Sequence, residues 1–144
     1  LEALDVLKKM EELGGRNRRQ SVETLMREAR RLGCRTEVGG GKDGGINFRY
    51  GSIRYAILDV NVQGQVKLYV QPHPNKTAPE SLTDALNACI LQNPGLEPKS
   101  APIHSYGHLR ESVEEVPHAS LLAYLERAID LIRDNYYRGT EDRS

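Results

Sequence analysis

Nine arginines and one lysine crowd into residues 13 to 54. They are Arg16, Arg18, Arg19, Arg27, Arg30, Arg31, Arg35, Lys42, Arg49 and Arg54, set against the acids Glu23, Glu28, Glu37 and Asp43, for a net charge of +6. Residues 1 to 12 carry −2 and residues 55 to 144 carry −4, so the chain of 144 residues is formally neutral while being strongly polarised along its length. Guanidinium groups present a planar fork of donors that matches phosphate or carboxylate oxygens in pairs. A cationic segment of this kind recruits a polyanion even when the whole protein has no net charge. The competing reading is a solvated face balanced by the acidic remainder of the chain.

The spacing suggests where an anion would sit. Arg16, Arg18 and Arg19 precede Ser21, where a helix is expected to start, and unpaired N–H groups at a helix N-terminus favour negative charge. Arg27, Arg30 and Arg31 extend the cationic surface along that helix, and Lys42 lies in the loop beyond it. Arg49 and Arg54 fall opposite each other in the expected hairpin, a like-charged pair that costs stability unless an anion, with Glu37 as the internal candidate, lies between them. Tyr69 and Tyr106 are candidates for stacking on bases.

Other chemistries find less support. The run Gly39-Gly40-Gly41-Lys42-Asp43-Gly44-Gly45 lacks the Gly-Lys-Ser/Thr ending of a phosphate-binding P-loop and reads as a flexible hairpin connection. His104 and His108 would share a metal on a helix, but Ser105-Tyr106-Gly107 favours a strand, where the spacing separates them by roughly 13 Å. His73 and His118 have no partner in sequence. Cys34 and Cys89 stand apart, beside no activating motif, and read as buried thiols of a reducing compartment.

The elements follow from periodicity. Leu1, Leu4, Leu7 and Met10 predict a first helix stopped by Gly14-Gly15, and Val22, Leu25, Met26, Ala29 and Leu32 a second one from Ser21 to Gly33. A short strand is expected at Thr36 to Val38, followed by strands over 46–50, 53–62 and 65–71, joined by two-residue turns at Gly51-Ser52 and Gln63-Gly64. That register pairs Tyr50 with Ile53 and Val62 with Gln65. It sets Ile46, Phe48, Tyr50, Ile53, Tyr55, Ile57, Val66, Leu68 and Val70 on a core face. Asn47, Arg49, Arg54, Ala56, Leu58, Val60, Val62, Gln65, Lys67 and Tyr69 then occupy a second, half-apolar face. A capping box at Thr77 to Glu80 opens a helix with Leu82, Ala85, Leu86, Cys89 and Ile90 on its apolar side. The stretch 103–113 reads as a strand or hairpin interrupted at Gly107. A last helix opens near Pro117 and buries Leu121, Leu125, Ala128, Ile129, Ile132 and Tyr136. The expectation is one α+β domain over residues 1–139, with an antiparallel or mixed sheet of three to five strands against three to four helices, and a polar tail at 140–144.

A helix, a loop containing Asp43-Gly44-Gly45-Ile46, and then Gln65-Val66-Lys67-Leu68-Tyr69 resemble the core of Mrr-type restriction endonucleases over residues 21 to 69. The resemblance implies a divalent-metal nuclease with Asp43, Gln65 and Lys67 as candidate site residues and Mg²⁺ as its cofactor. The acid expected after Gly-Gly-Ile is replaced by Asn47, which lacks the charge that Mg²⁺ prefers. In the expected register Asn47 faces Ala56, Lys67 faces Val60, and Asp59 pairs with Leu68 and points away, leaving about 13 Å between the first two positions. The segment Ile46 to Val70 and the closing Leu131-Ile132-Arg133-Asp134-Asn135-Tyr136-Tyr137 are also similar to an uncharacterised bacterial domain family found beside restriction-like and other defence proteins. That similarity implies a nucleic-acid context and assigns no catalytic residue.

No apolar run approaches the roughly 18 residues of a membrane span, and no signal segment opens the chain. The first residue, Leu1, reads as the start of a domain cut from a longer polypeptide. The expectation is therefore a cytoplasmic, non-catalytic module that binds DNA or RNA without a cofactor or membrane, as an accessory domain of a larger bacterial defence or DNA-processing protein. The alternatives are a protein-interaction or dimerisation domain, docking through the half-apolar sheet face or the terminal helix onto its own copy or its parent protein, and the diverged Mg²⁺ nuclease.

Overall fold

The computed structural model describes residues 1–51, 55–71 and 79–134. Its elements run α1 (Ala3–Arg31), β1 (Cys34–Val38), β2 (Gly45–Tyr50), β3 (Tyr55–Asn61), β4 (Gln65–Tyr69), α2 (Glu80–Leu91), β5 (Tyr106–Ser112) and α3 (His118–Ile132). The five strands form one antiparallel sheet in chain order, β1-β2-β3-β4-β5, so the fold is α+β. The expected tail at 140–144, together with Arg54, Ile53, His73, Thr77 and Tyr136, lies outside the described residues.

Two expected helices prove to be one interrupted helix. Gly15 leaves helical geometry at φ 84° and ψ 179°, a conformation that favours glycine, and the helix resumes immediately. Ser21 is therefore an interior residue, because Arg16 to Gln20 are mostly good helix formers and Arg18 is anchored from outside. Val6, Leu7, Met10, Val22, Leu25, Met26 and Ala29 form the buried stripe, whereas Leu1 and Leu4 are exposed. Gly33, at φ 93°, ends the helix as expected.

The sheet register differs from the expected one by a small and consequential amount. Val60 pairs with Val66 and Leu58 with Leu68, so three residues, not two, connect β3 to β4. Gly64 takes φ 84° and donates its N–H to Asn61 O at 2.9 Å, the three-residue hairpin that closes on a left-handed glycine. On the other side Tyr50 pairs with Tyr55, leaving four residues between β2 and β3, and a bulge falls between Phe48 and Arg49. A slip of one residue turns every side chain of a strand to the opposite face. Leu58 and Val60 consequently join Ile46, Phe48, Val66 and Leu68 in the core, and Asp59 moves to the other face. The expected half-apolar second face is a polar one.

All three helices contribute to the core over the first face. Tyr124 of α3 is buried with its hydroxyl 3.4 Å from Tyr69 O, and Thr83 of α2 donates to Val70 O at 3.0 Å. Leu121, Leu125, Ala128, Ile129 and Ile132 are buried on α3, and Leu82, Leu86 and Ile90 on α2, as periodicity predicts. The outer edge of β5 is occupied: Lys99 donates its N–H to His108 O and Arg110 its N–H to Glu97 O, each at 2.8 Å.

Candidate nucleic-acid interface

Five partner positions line up across the second face, one from each strand: Glu37, Asn47, Asp59, Lys67 and His108. Strands about 4.8 Å apart make this a polar row of roughly 19 Å. Alternation along the strands places Arg49, Tyr69 and Tyr106 in the next positions on the same face, with Arg35 directly opposite Arg49 and Tyr69 opposite Tyr106. These side chains are half-buried or exposed, whereas their sequence neighbours Phe48, Val66 and Leu68 are fully buried.

Lys67 lies at the centre of an aromatic corner. Its Nζ is 4.6 Å from the Tyr106 ring centroid and 5.7 Å from that of Tyr69. The two rings are 6.1 Å apart and tilted by 49°, and the His108 imidazole stands edge-on to Tyr106 at 6.3 Å. Tyr69 donates its hydroxyl to Asp59 Oδ2 at 2.5 Å. Burial, followed by that bond and the Asp59 charge, keeps the phenol protonated well above the usual tyrosine range. Tyr106 differs: its side chain is 54% exposed and its hydroxyl makes no hydrogen bond among the described residues.

The cations expected to form one patch are divided. Arg18 is taken into the fold, donating to both carboxylate oxygens of Glu114 at 3.0–3.2 Å and to Val62 O at 3.2 Å. Arg19 pairs with Glu23 and Arg31 with Glu28 along α1, and Arg27 reaches Thr24. Arg30 donates to Thr36 Oγ1 at 2.8 Å, tying α1 to β1. Arg16 is in the first turn after the Gly15 break, and Lys42 is exposed in the loop before β2. Arg49 reaches the open face and is bridged by Glu37 at 3.4 Å. Its like-charged cross-strand neighbour is Arg35 and not Arg54, and Arg35 in turn donates to Gly51 O at 2.9 Å.

The nuclease residues are also redistributed. Asp43 is exposed in the β1–β2 loop, two strands away from Lys67. Gln65 accepts from Asn61 Nδ2 at 2.7 Å on the same face as Lys67. Asp59, expected to point away, is directly opposite Lys67 and next to Asn47, so the expected 13 Å offset does not exist. The three-residue turn is the cause, and only the left-handed glycine at 64 could have signalled it. The described residues contain no cluster of three or more His, Cys, Asp or Glu side chains able to hold a metal. Burial raises the Cys34 thiol to about 12 and Cys89 upward as well, which disfavours the thiolate that nucleophilic chemistry needs.

The apolar surface lies elsewhere. A groove of about 810 Å³ separates the end of α2 from the 93–103 segment, lined by Ile90, Leu91, Leu96, Pro102 and Ile103 with Arg110 at its margin. No helix among the described residues is long and apolar enough to cross a membrane. Compared with known proteins, this chain matches no protein-family model, no curated protein and no solved structure.

Proposed function

We propose that this domain is a non-catalytic nucleic-acid-binding module that holds the polyanion along the open face of its sheet. The observation that carries the reading is the corner formed by Lys67, Tyr69, Tyr106 and His108, with Arg49 and Arg35 two strands away on the same face. Cationic groups meet phosphates, and exposed rings meet bases. The similarity to domains found beside restriction-like proteins supports a place as an accessory domain in a bacterial defence or DNA-processing protein. Fluorescence anisotropy with DNA and RNA at two salt concentrations tests the reading. Affinity is expected to fall steeply with salt, and Lys67→Ala to weaken it. Absence of binding at low salt would remove the proposal.

One relationship favours a second reading, a diverged divalent-metal nuclease. Asp59 and Lys67 oppose each other with Gln65 two residues along, which brings an acid, an amide and a lysine to one face. A metal ion there would activate water, and the lysine would offset developing charge. Cleavage in Mg²⁺ or Mn²⁺ that Asp59→Ala abolishes would support it; cleavage that survives Asp59→Ala would reject this site.

A further inference from the structure

We infer that the occupant of the open face is single-stranded nucleic acid, with an unpaired base stacked on Tyr106. This inference rests on the binding role proposed above and narrows it.

The reasoning begins with what the two tyrosines are free to do. Tyr69 is committed, its hydroxyl on Asp59 and its backbone carbonyl near the Tyr124 hydroxyl. Tyr106 is held at one edge by His108 and beside Lys67 and Tyr69, yet more than half of its side chain faces solvent. An exposed ring braced by its neighbours keeps a fixed orientation, so a base meets it without a large ordering cost. Base faces inside a duplex are covered by the bases above and below, and only an unpaired or terminal base offers its face to a protein ring. The ammonium of Lys67, 4.6 Å from the same ring, lies where the phosphate of a stacked nucleotide needs a counter-charge.

The charges on the rest of the face fit this placement. Glu37 is occupied by Arg49, and Asp59 by the Tyr69 hydroxyl, so the two acids lie between the cationic ends of the row and not at them. Phosphates are expected over Lys67 and over the Arg35–Arg49 pair, and bases over the ring and the Asn47–Asp59 segment. Stacking is tolerant of base identity, which predicts modest sequence preference.

The test is fluorescence anisotropy with four labelled twelve-nucleotide probes: oligo-dT, oligo-rU, a blunt DNA duplex and an abasic DNA strand of equal charge. Single strands are expected to bind about tenfold or more tightly than the duplex and the abasic strand. The oligo-dT and oligo-rU arms show which sugar is preferred. Tyr106→Ala is expected to cost about tenfold on single strands and little on the duplex, whereas Tyr106→Phe retains the ring and the affinity. Circular dichroism checks that both variants are folded. Equal binding of duplex and single strand, or an unchanged affinity in Tyr106→Ala, would overturn the stacking inference and leave the polyanion reading standing. No binding of any probe at low salt would end both.

Discussion

Asp59 and Lys67 face each other across β3 and β4, and the Tyr69 hydroxyl, two residues along from Lys67, closes on the same carboxylate at 2.5 Å. Asp59 is thereby an organising group. It fixes the ring of Tyr69, which in turn helps to position the corner where Lys67 and Tyr106 meet. An acid at this point of a proposed polyanion surface is consistent with binding because its charge is engaged within the face.

Lys67→Ala is expected to weaken nucleic-acid binding by roughly three- to tenfold and to lower the salt slope by about one, as loss of one phosphate contact does. Arg19→Ala and Arg31→Ala, whose partners are acids on their own helix, should change affinity by less than about twofold. Anisotropy titrations over a salt series distinguish these outcomes.

Arg18 and Glu114 form a two-pronged pair whose side chains are only 12% and 15% exposed. Removing one partner leaves the other charge uncompensated, so Arg18→Ala should destabilise the fold by about 3 kcal/mol in urea unfolding. The double variant with Glu114→Ala should lose less than the sum of the single losses. Affinity of the folded Arg18→Ala protein for DNA or RNA is expected to be unchanged.

Gly64→Ala should cost about 1–3 kcal/mol, since the residue is left-handed at φ 84°. An added Cβ would also lie 2.6 Å from Arg18 Nε and 3.1 Å from Glu114 Oε1, disturbing the buried pair. Thermal denaturation measures the loss. Gly40→Ala, at an open position, is the matched control.

The Cys34 thiol, raised by burial from 9.0 to about 12, makes stability depend on alkaline pH. A thiol whose pKa is higher folded than unfolded contributes fully below the unfolded value, and that contribution falls away as pH rises from about 9 towards 12. Tyr69 and Tyr124 act in the same direction above their ordinary value of 10.0. Urea midpoints should therefore decline above pH 9, less steeply in Cys34→Ala. The same burial predicts slow alkylation of Cys34 at pH 8 that accelerates on unfolding.

Much of the core was legible in the chain. The stripes of α2 and α3 appear at helical spacing, and Val22, Leu25, Met26 and Ala29 mark the second half of α1, because a helix facing a core repeats its apolar residues every three or four positions. The strands were legible as runs. Their register was not, because Gln63-Gly64 suits both a two-residue and a three-residue turn, and alternating residues satisfy either pairing locally. The Leu1–Leu4 spacing also misled, since the first turn of α1 buries Val6 and Leu7 instead.

By itself, then, the order of residues determined the α+β class, the strands that neighbour one another, the placement of aliphatic side chains in the interior and the polarised charge. These follow from local periodicity and from burial of apolar surface, which depend on spacing alone. Tertiary structure alone decided which polar groups meet: Asp59 opposite Lys67, Arg49 beside Arg35, Arg18 folded onto Glu114 across 96 positions of chain. Such meetings depend on a one-residue choice of register and on long-range packing, and neither leaves a periodic trace in the sequence.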